Sequence, residues 1–147
     1  MSELRELYQE MILDHGRHPR NFGALTSANH SKEGFNPLCG DKINLHLCEK
    51  AGVIEDVRFE GCGCAISMAS ASLMTEAIKG KTTKEVIQLF ANFHALVTEQ
   101  TCATEQLGKL AVFSGVAAYP VRVKCAILAW HVLKALLEND AAPVSTE

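Results

Sequence analysis

The spacing of apolar residues changes near residue 62, and this change constrains the fold more than any other feature of the sequence. Between residues 42 and 60, apolar side chains alternate with polar ones. A period of two is typical of strands with one face in water, and the turn at 50–52 can reverse the chain, so the pattern predicts an antiparallel hairpin. On this pattern His46 and Cys48 lie on the polar face.

The remainder of the chain has helical spacing. Thr82 and Glu85 form a capping box before one helix, and Pro120 suits the first turn of another. The predicted helices cover about residues 3–15, 66–79, a segment after residue 82, 105–116 and 120–138. These patterns predict one α+β domain at residues 1–138, with a small antiparallel β-sheet packed against several α-helices. A short flexible tail is expected at residues 139–147.

Charge and hydropathy exclude two classes of partner. The chain has 147 residues with 14 basic and 17 acidic side chains, and its basic residues are spread along the sequence, so we expect no nucleic-acid partner. No apolar run approaches the roughly 20 residues of a membrane span, and the N-terminal residues resemble an amphipathic helix rather than a signal peptide. We therefore expect a cytoplasmic protein without a membrane partner. Its six cysteines then favour metal or thiol chemistry over a disulfide framework.

Three segments place a cysteine at a chain corner or near a helix start. Cys39 lies in NPLCGD, Cys64 in GCGC and Cys125 in PVRVKC. Together with Asp41, their thiolates would form a ligand set of three sulfurs and one oxygen that zinc or iron accepts. Free cysteines are also common small core residues, and no CxxC pair is present, so spacing alone leaves the convergence of these cysteines open.

Two basic side chains stand close to Cys125 in the sequence. Lys124 and Arg122 would favour a thiolate through their positive charge, and for Cys125 the neighbouring Lys124 matters more than the helix dipole. The same two cations could hold the charge of the Cys39 thiolate when it leaves a metal.

The segments with these cysteines, together with DHGRHPRNFG at 14–23, resemble the iron–sulfur cluster assembly proteins of the NifU N-domain, IscU and SufU family. The SufU branch is closer because Lys124 replaces the histidine ligand of IscU and because the interval from Cys64 to Cys125 is longer. The resemblance implies an α+β fold of the SufE/NifU-like kind. It also implies Cys39, Asp41, Cys64 and Cys125 as metal ligands, with Cys39 receiving sulfur from a cysteine desulfurase.

The position of Cys62 departs from the family pattern, which has a non-cysteine residue between the two glycines. Alignment through the following helix places the family cysteine at Cys64, whereas the local string GCG would select Cys62 and require a gap. We choose Cys64. Cys62 is then a bystander at a corner or a resolving thiol that could take over a persulfide.

Three functions fit the resemblance. The first is a zinc-dependent acceptor and carrier of persulfide sulfur from a SufS-type cysteine desulfurase, with Zn²⁺ in the resting protein; Lys124 favours this function. The second is a scaffold on which a labile [2Fe–2S] cluster is assembled and passed on. The third is a structural zinc adaptor, which would not need an aspartate ligand. The expected recipients are a SUF scaffold or apo iron–sulfur proteins.

Overall fold

The computed structural model describes residues 2–99, 107–139 and 143–146. Its helices and strands follow the order α1 (Ser2–Arg17), β1 (His30–Asn36), β2 (Asp41–Lys50), β3 (Val53–Cys62), α2 (Ala65–Ile78), α3 (Thr83–Glu99), α4 (Pro120–Leu137) and β4 (Val144–Ser145), with two short 3-10 helices at Gly108–Phe113 and Val116–Ala118. In the described part of the chain, none of the helices is long and apolar enough to cross a membrane.

The four strands form one sheet in the order β3-β2-β1-β4. The predicted hairpin is present as the antiparallel pair β2 and β3, and β1 pairs antiparallel with the other edge of β2. The predicted α+β class is therefore confirmed, although β4 pairs parallel with β1 and makes the sheet mixed. The alternation pattern missed β1 because only Gly34 and Asn36 of its residues are buried.

Helices α2 and α4 cover one face of the sheet, and the core lies between these layers. Gly34 permits the close approach of β1 to α4, because a Cβ at this position would overlap the Cγ2 methyl group of Val132. Trp130 of α4 stacks on Phe93 of α3, with 4.5 Å between the ring centroids. This packing brings the end of β1 next to the first turns of α4.

One expectation about an exposed position is wrong. Cys48 is buried, with 5% of its surface exposed, although the hairpin pattern places it on the polar face. Within the tail predicted at 139–147, Val144–Ser145 forms the short strand β4, and its neighbour Thr146 donates its backbone N–H to the Phe35 carbonyl at 3.1 Å. The flexibility of the tail stays a prediction.

The helix predicted at 105–116 is found in part. Gly108–Phe113 forms a 3-10 helix whose residues Leu110 and Phe113 are buried. Residues 105 and 106 lie outside the described part of the chain.

Candidate metal centre

The connection between β1 and β2 carries the first of the predicted site residues. Asn36 and Asp41 are the last paired residues of the two strands, so the chain reverses over residues 37–40. Gly40 adopts a φ of 70°, a left-handed conformation that glycine takes without steric cost. The turn leaves Cys39 exposed at its tip.

Asp41 is the first residue of β2 and is buried, with 2% of its surface exposed. Its Oδ1 accepts a hydrogen bond from the backbone N–H of Cys64 at 2.9 Å, and its Oδ2 accepts one from the Asn36 side-chain amide at 3.1 Å. Gly63 leaves room for this carboxylate, since a Cβ there would clash with Asp41 Oδ1. The glycine-rich corner therefore allows Asp41 to reach the start of α2.

Cys64 is the N-cap residue of α2, in an extended backbone conformation. Its Sγ accepts a hydrogen bond from the backbone N–H of Ser67 at 3.5 Å and lies 4.0 Å from Asp41 Oδ2. A sulfur at this position is close to the partial positive charge at the N-terminus of the helix.

Cys125 lies in the second turn of α4, with 3% of its surface exposed. Its Sγ accepts a hydrogen bond from the Asn36 amide at 3.4 Å and donates to Cys39 Sγ at 3.2 Å. Burial raises the pKa of the Cys125 thiol, and hydrogen bonds with Cys39, Asp41 and Cys64 raise it further. The thiol is therefore neutral in the metal-free protein, and a bound metal ion would displace its proton.

These side chains converge from three separate parts of the chain. One ligand atom each from Cys39, Asp41 and Cys125 lies within 4.8 Å of the others, and Cys64 Sγ adjoins Asp41. Four ligands of a tetrahedral zinc ion at about 2.3 Å would lie about 3.8 Å from one another, so small side-chain movements would suffice. Three sulfurs and one carboxylate fit zinc or iron chemically.

The other predicted site residues are Cys62, Arg122 and Lys124. Cys62 is exposed at the end of β3, where it pairs with Lys42 of β2. Arg122 lies over the ring of Tyr119, 4.5 Å from its centroid. Within the described residues, neither Arg122 nor Lys124 forms an ion pair with Asp41. Their proposed part in holding a thiolate in transit stays a prediction.

Sequence reasoning missed Asn36. Its side chain is fully buried and donates to both Asp41 and Cys125. Asn36 precedes Cys39 in the same short motif, but its bond to Asp41 depends on hairpin register and its bond to Cys125 depends on the packing of α4. A clear alternation of apolar and polar residues along β1 would have indicated that Asn36 is buried, but β1 lacks one.

Comparison with known proteins supports the resemblance seen in the sequence. The family model described as the NifU-like N terminal domain matches residues 7–126. The chain is 39% identical over 134 residues to a protein of Bacillus subtilis named zinc-dependent sulfurtransferase SufU, covering 90% of each chain. It is 37% identical over 142 residues to the iron–sulfur cluster assembly scaffold protein IscU of Streptococcus pyogenes, covering 96% of this chain and 89% of the relative.

A solved structure supports the fold. A crystal structure from Fervidobacterium islandicum, described as an iron–sulfur cluster assembly scaffold protein for the SUF system, superposes with a TM-score of 0.84 at 36% identity. The match covers 90% of this chain and 97% of that one. On the family match and these relatives, the chain belongs to the NifU-like N-terminal domain family.

Proposed function

We propose that this chain, an iron–sulfur cluster assembly protein of the IscU/SufU kind, accepts sulfane sulfur on Cys39 from the persulfide of a SufS-type cysteine desulfurase. The observation that supports this proposal is the difference in solvent exposure among the residues of one cluster. Cys39 is exposed at the tip of a turn, whereas Cys125 and Asp41, its neighbours in the cluster, are buried. The resemblance to a named zinc-dependent sulfurtransferase supports the same function.

Zinc would be bound by four residues, Cys39, Asp41, Cys64 and Cys125. When bound, zinc would keep the three sulfurs close together as thiolates at neutral pH. Burial keeps the Cys125 thiol neutral in the metal-free protein, so binding of zinc would release its proton. The chemistry requires reduced cysteines, which are found in a reducing compartment such as the cytosol.

The transfer is a thiol–disulfide-type exchange. The Cys39 thiolate attacks the terminal sulfur of the desulfurase persulfide, and a new S–S bond forms on Cys39. The original S–S bond of the desulfurase breaks, and its cysteine leaves as a thiolate, so no external oxidant or reductant is required. Cys39 then carries the sulfur to a recipient, a SUF scaffold or an apo iron–sulfur protein.

The mixed donor set also favours a second function, assembly of a labile [2Fe–2S] cluster as cargo. Asp41 contributes a hard oxygen to a group of soft sulfur donors, and such a ligand is displaced more easily than a thiolate. Two relatives are named as cluster assembly scaffolds, which agrees with this alternative.

Anaerobic purification separates the two functions. Colourless protein with one zinc ion per chain supports sulfur transfer, whereas brown protein with iron and acid-labile sulfide supports the scaffold. The protein is then incubated with a SufS-type desulfurase and cysteine, and persulfide is located by mass spectrometry.

We expect one added sulfur atom on Cys39, and we expect Cys39→Ser to abolish stimulation of desulfurase turnover. Cys62→Ser is the matched control, since it removes an exposed thiol outside the cluster, and it should behave as the unmodified protein. Persulfide only on Cys62, or full stimulation by Cys39→Ser, would overturn the assignment.

A further inference from the structure

The Asn36 side chain stands between two of the candidate ligands. It is fully buried at the end of β1, and its Nδ2 donates to Asp41 Oδ2 at 3.1 Å and to Cys125 Sγ at 3.4 Å. An amide nitrogen has two N–H groups, so both of its donors are used on this cluster. The Asn36 side chain therefore has no N–H group left to donate to other residues of the sheet.

The carbonyl end of the same amide has no partner. Asn36 Oδ1 is buried and accepts no hydrogen bond within the described part of the chain. A buried acceptor without a donor is unfavourable, and most native side chains avoid it. Rotation of the amide by half a turn would not help, because it would direct Oδ1 at the carboxylate of Asp41. The two ligands therefore determine the orientation of the amide.

The two bonds also join parts of the chain that are far apart in sequence. Asp41 is 5 residues from Asn36 and Cys125 is 89 residues from it. Asn36 thus connects a ligand on the hairpin to a ligand on α4. Partners that donate to metal ligands fix the orientation of those ligands and are nearly as important as the ligands themselves.

We propose that Asn36 is a positioning residue that holds Asp41 and Cys125 in the arrangement needed to bind the metal. This inference rests on the proposed metal site and specifies how that site is kept assembled. Asn36 itself does not bind the metal, since the oxygen it could offer lies on the opposite side of the amide from its two bonds with the ligands.

The first test measures zinc affinity by competition with a chromophoric chelator, using Asn36→Ala and Asn36→Asp. The second variant keeps the size of the side chain but replaces a donor with an acceptor. We expect both variants to bind zinc about 10- to 100-fold more weakly than the unmodified protein. Asn44→Ala, on the same hairpin and outside the cluster, is the matched control and should keep the original affinity.

The second test uses Co²⁺ as a spectroscopic probe, because its d–d bands report the geometry and identity of the ligands. A residue that only stabilises the fold would lower the melting temperature of metal-free protein without changing these bands. We expect the bands of both Asn36 variants to change in position or intensity. Unchanged bands and unchanged zinc affinity in variants that fold would overturn the inference.

A third test is needed if the single variants fold poorly. It uses the double variant Asn36→Asp/Asp41→Asn, which exchanges the two side chains. This variant retains one amide–carboxylate pair, so metal-free stability should recover relative to Asn36→Asp, whereas zinc affinity should stay low. Recovery of full zinc affinity would show that the positions of amide and carboxylate do not matter, and would contradict the inference. Failure of the unmodified protein to bind zinc or Co²⁺ would instead contradict the proposed function.

Discussion

Asp41 differs from the other candidate ligands in the way the protein holds it. Each of its oxygens accepts a hydrogen bond, one from the Cys64 backbone and one from Asn36. These bonds orient the carboxylate. Its oxygen would be the hardest donor beside three thiolates, and therefore the most easily displaced ligand of the proposed site.

Replacement of Asp41 tests this role. We expect a [2Fe–2S] cluster reconstituted on Asp41→Ala to persist longer than on the unmodified protein, because the most easily displaced ligand is absent. The measurement is the decay of visible absorbance after addition of a chelator. Equal lifetimes on both proteins would show that Asp41 does not determine cluster lability.

The two candidate cysteine ligands at the N-cap of α2 and in α4 should respond differently from Cys62. Cys64→Ser or Cys125→Ser removes a sulfur ligand, and because metal-binding free energy contributes to folding free energy, both metal content and melting temperature should fall. Cys62→Ser should bind metal as the unmodified protein does. Metal analysis and thermal unfolding of all three variants check this, and loss of metal in Cys62→Ser alone would identify Cys62 as the ligand instead.

At the scale of elements, helix α2 anchors the end of α1 and the turn that follows it, at residues 15–21. His15 is buried, and its Nδ1 lies 2.7 Å from Ser72 Oγ. The backbone N–H of Arg20 also donates to Ser72 Oγ at 2.9 Å, and Asn21 donates to Thr75 Oγ1 at 3.1 Å. The hydroxyl groups of α2 therefore hold the start of the chain against the rest of the domain.

This contact predicts a dependence of stability on pH. Burial lowers the pKa of His15, and the positive charge of Arg20 lowers it further, so folding favours the neutral imidazole. Its contribution to stability is complete above the ordinary histidine pKa of about 6.5 and declines as the pH falls from there toward the folded-state pKa. Chemical denaturation of metal-free protein between pH 7 and pH 5 should show a smaller decline for His15→Gln than for the unmodified protein.

The exposed His18 provides the control for this experiment. His18→Gln should leave the decline between pH 7 and pH 5 as it is in the unmodified protein. An identical decline in His15→Gln would assign the dependence on pH to other groups, such as His131, whose pKa burial also lowers.

At the scale of the whole molecule, the proposed metal site links zinc binding to the stability of the folded state. A ligand that binds only the folded state stabilises it by an amount that grows with its free concentration, about 2.7 kcal/mol at 100 times the dissociation constant. We therefore expect zinc to raise the melting temperature in a concentration-dependent way and a chelator to lower it. Cys125→Ser should show little response to either addition, and an equal response would place the stabilising zinc elsewhere.

Local sequence patterns predict part of the fold and of the candidate site, whereas the remaining part depends on tertiary packing. Strand β2 and the helices have strong periodicity, and Cys39 and Asp41 share one short motif, so local patterns suffice for them. Strand β1 has no clear alternation because it buries few side chains, and the burial of Cys48 departs from the alternation of the hairpin. The bond between Asn36 and Cys125 depends on tertiary packing over 89 residues, which no local pattern encodes.

The long separation between Cys39 and Cys125 also affects how the protein is made. The two sulfurs are 86 residues apart in the chain, and Cys125 follows Cys64 by 61 residues (125 − 64). At a translation rate of about 5–20 residues per second, a ribosome needs roughly 3 to 12 seconds to add that interval. During this time the nascent chain presents two of the three candidate sulfur ligands and the aspartate without the last sulfur. At the proposed site, complete metallation would therefore be a late event in biosynthesis, after α4 has emerged and docked.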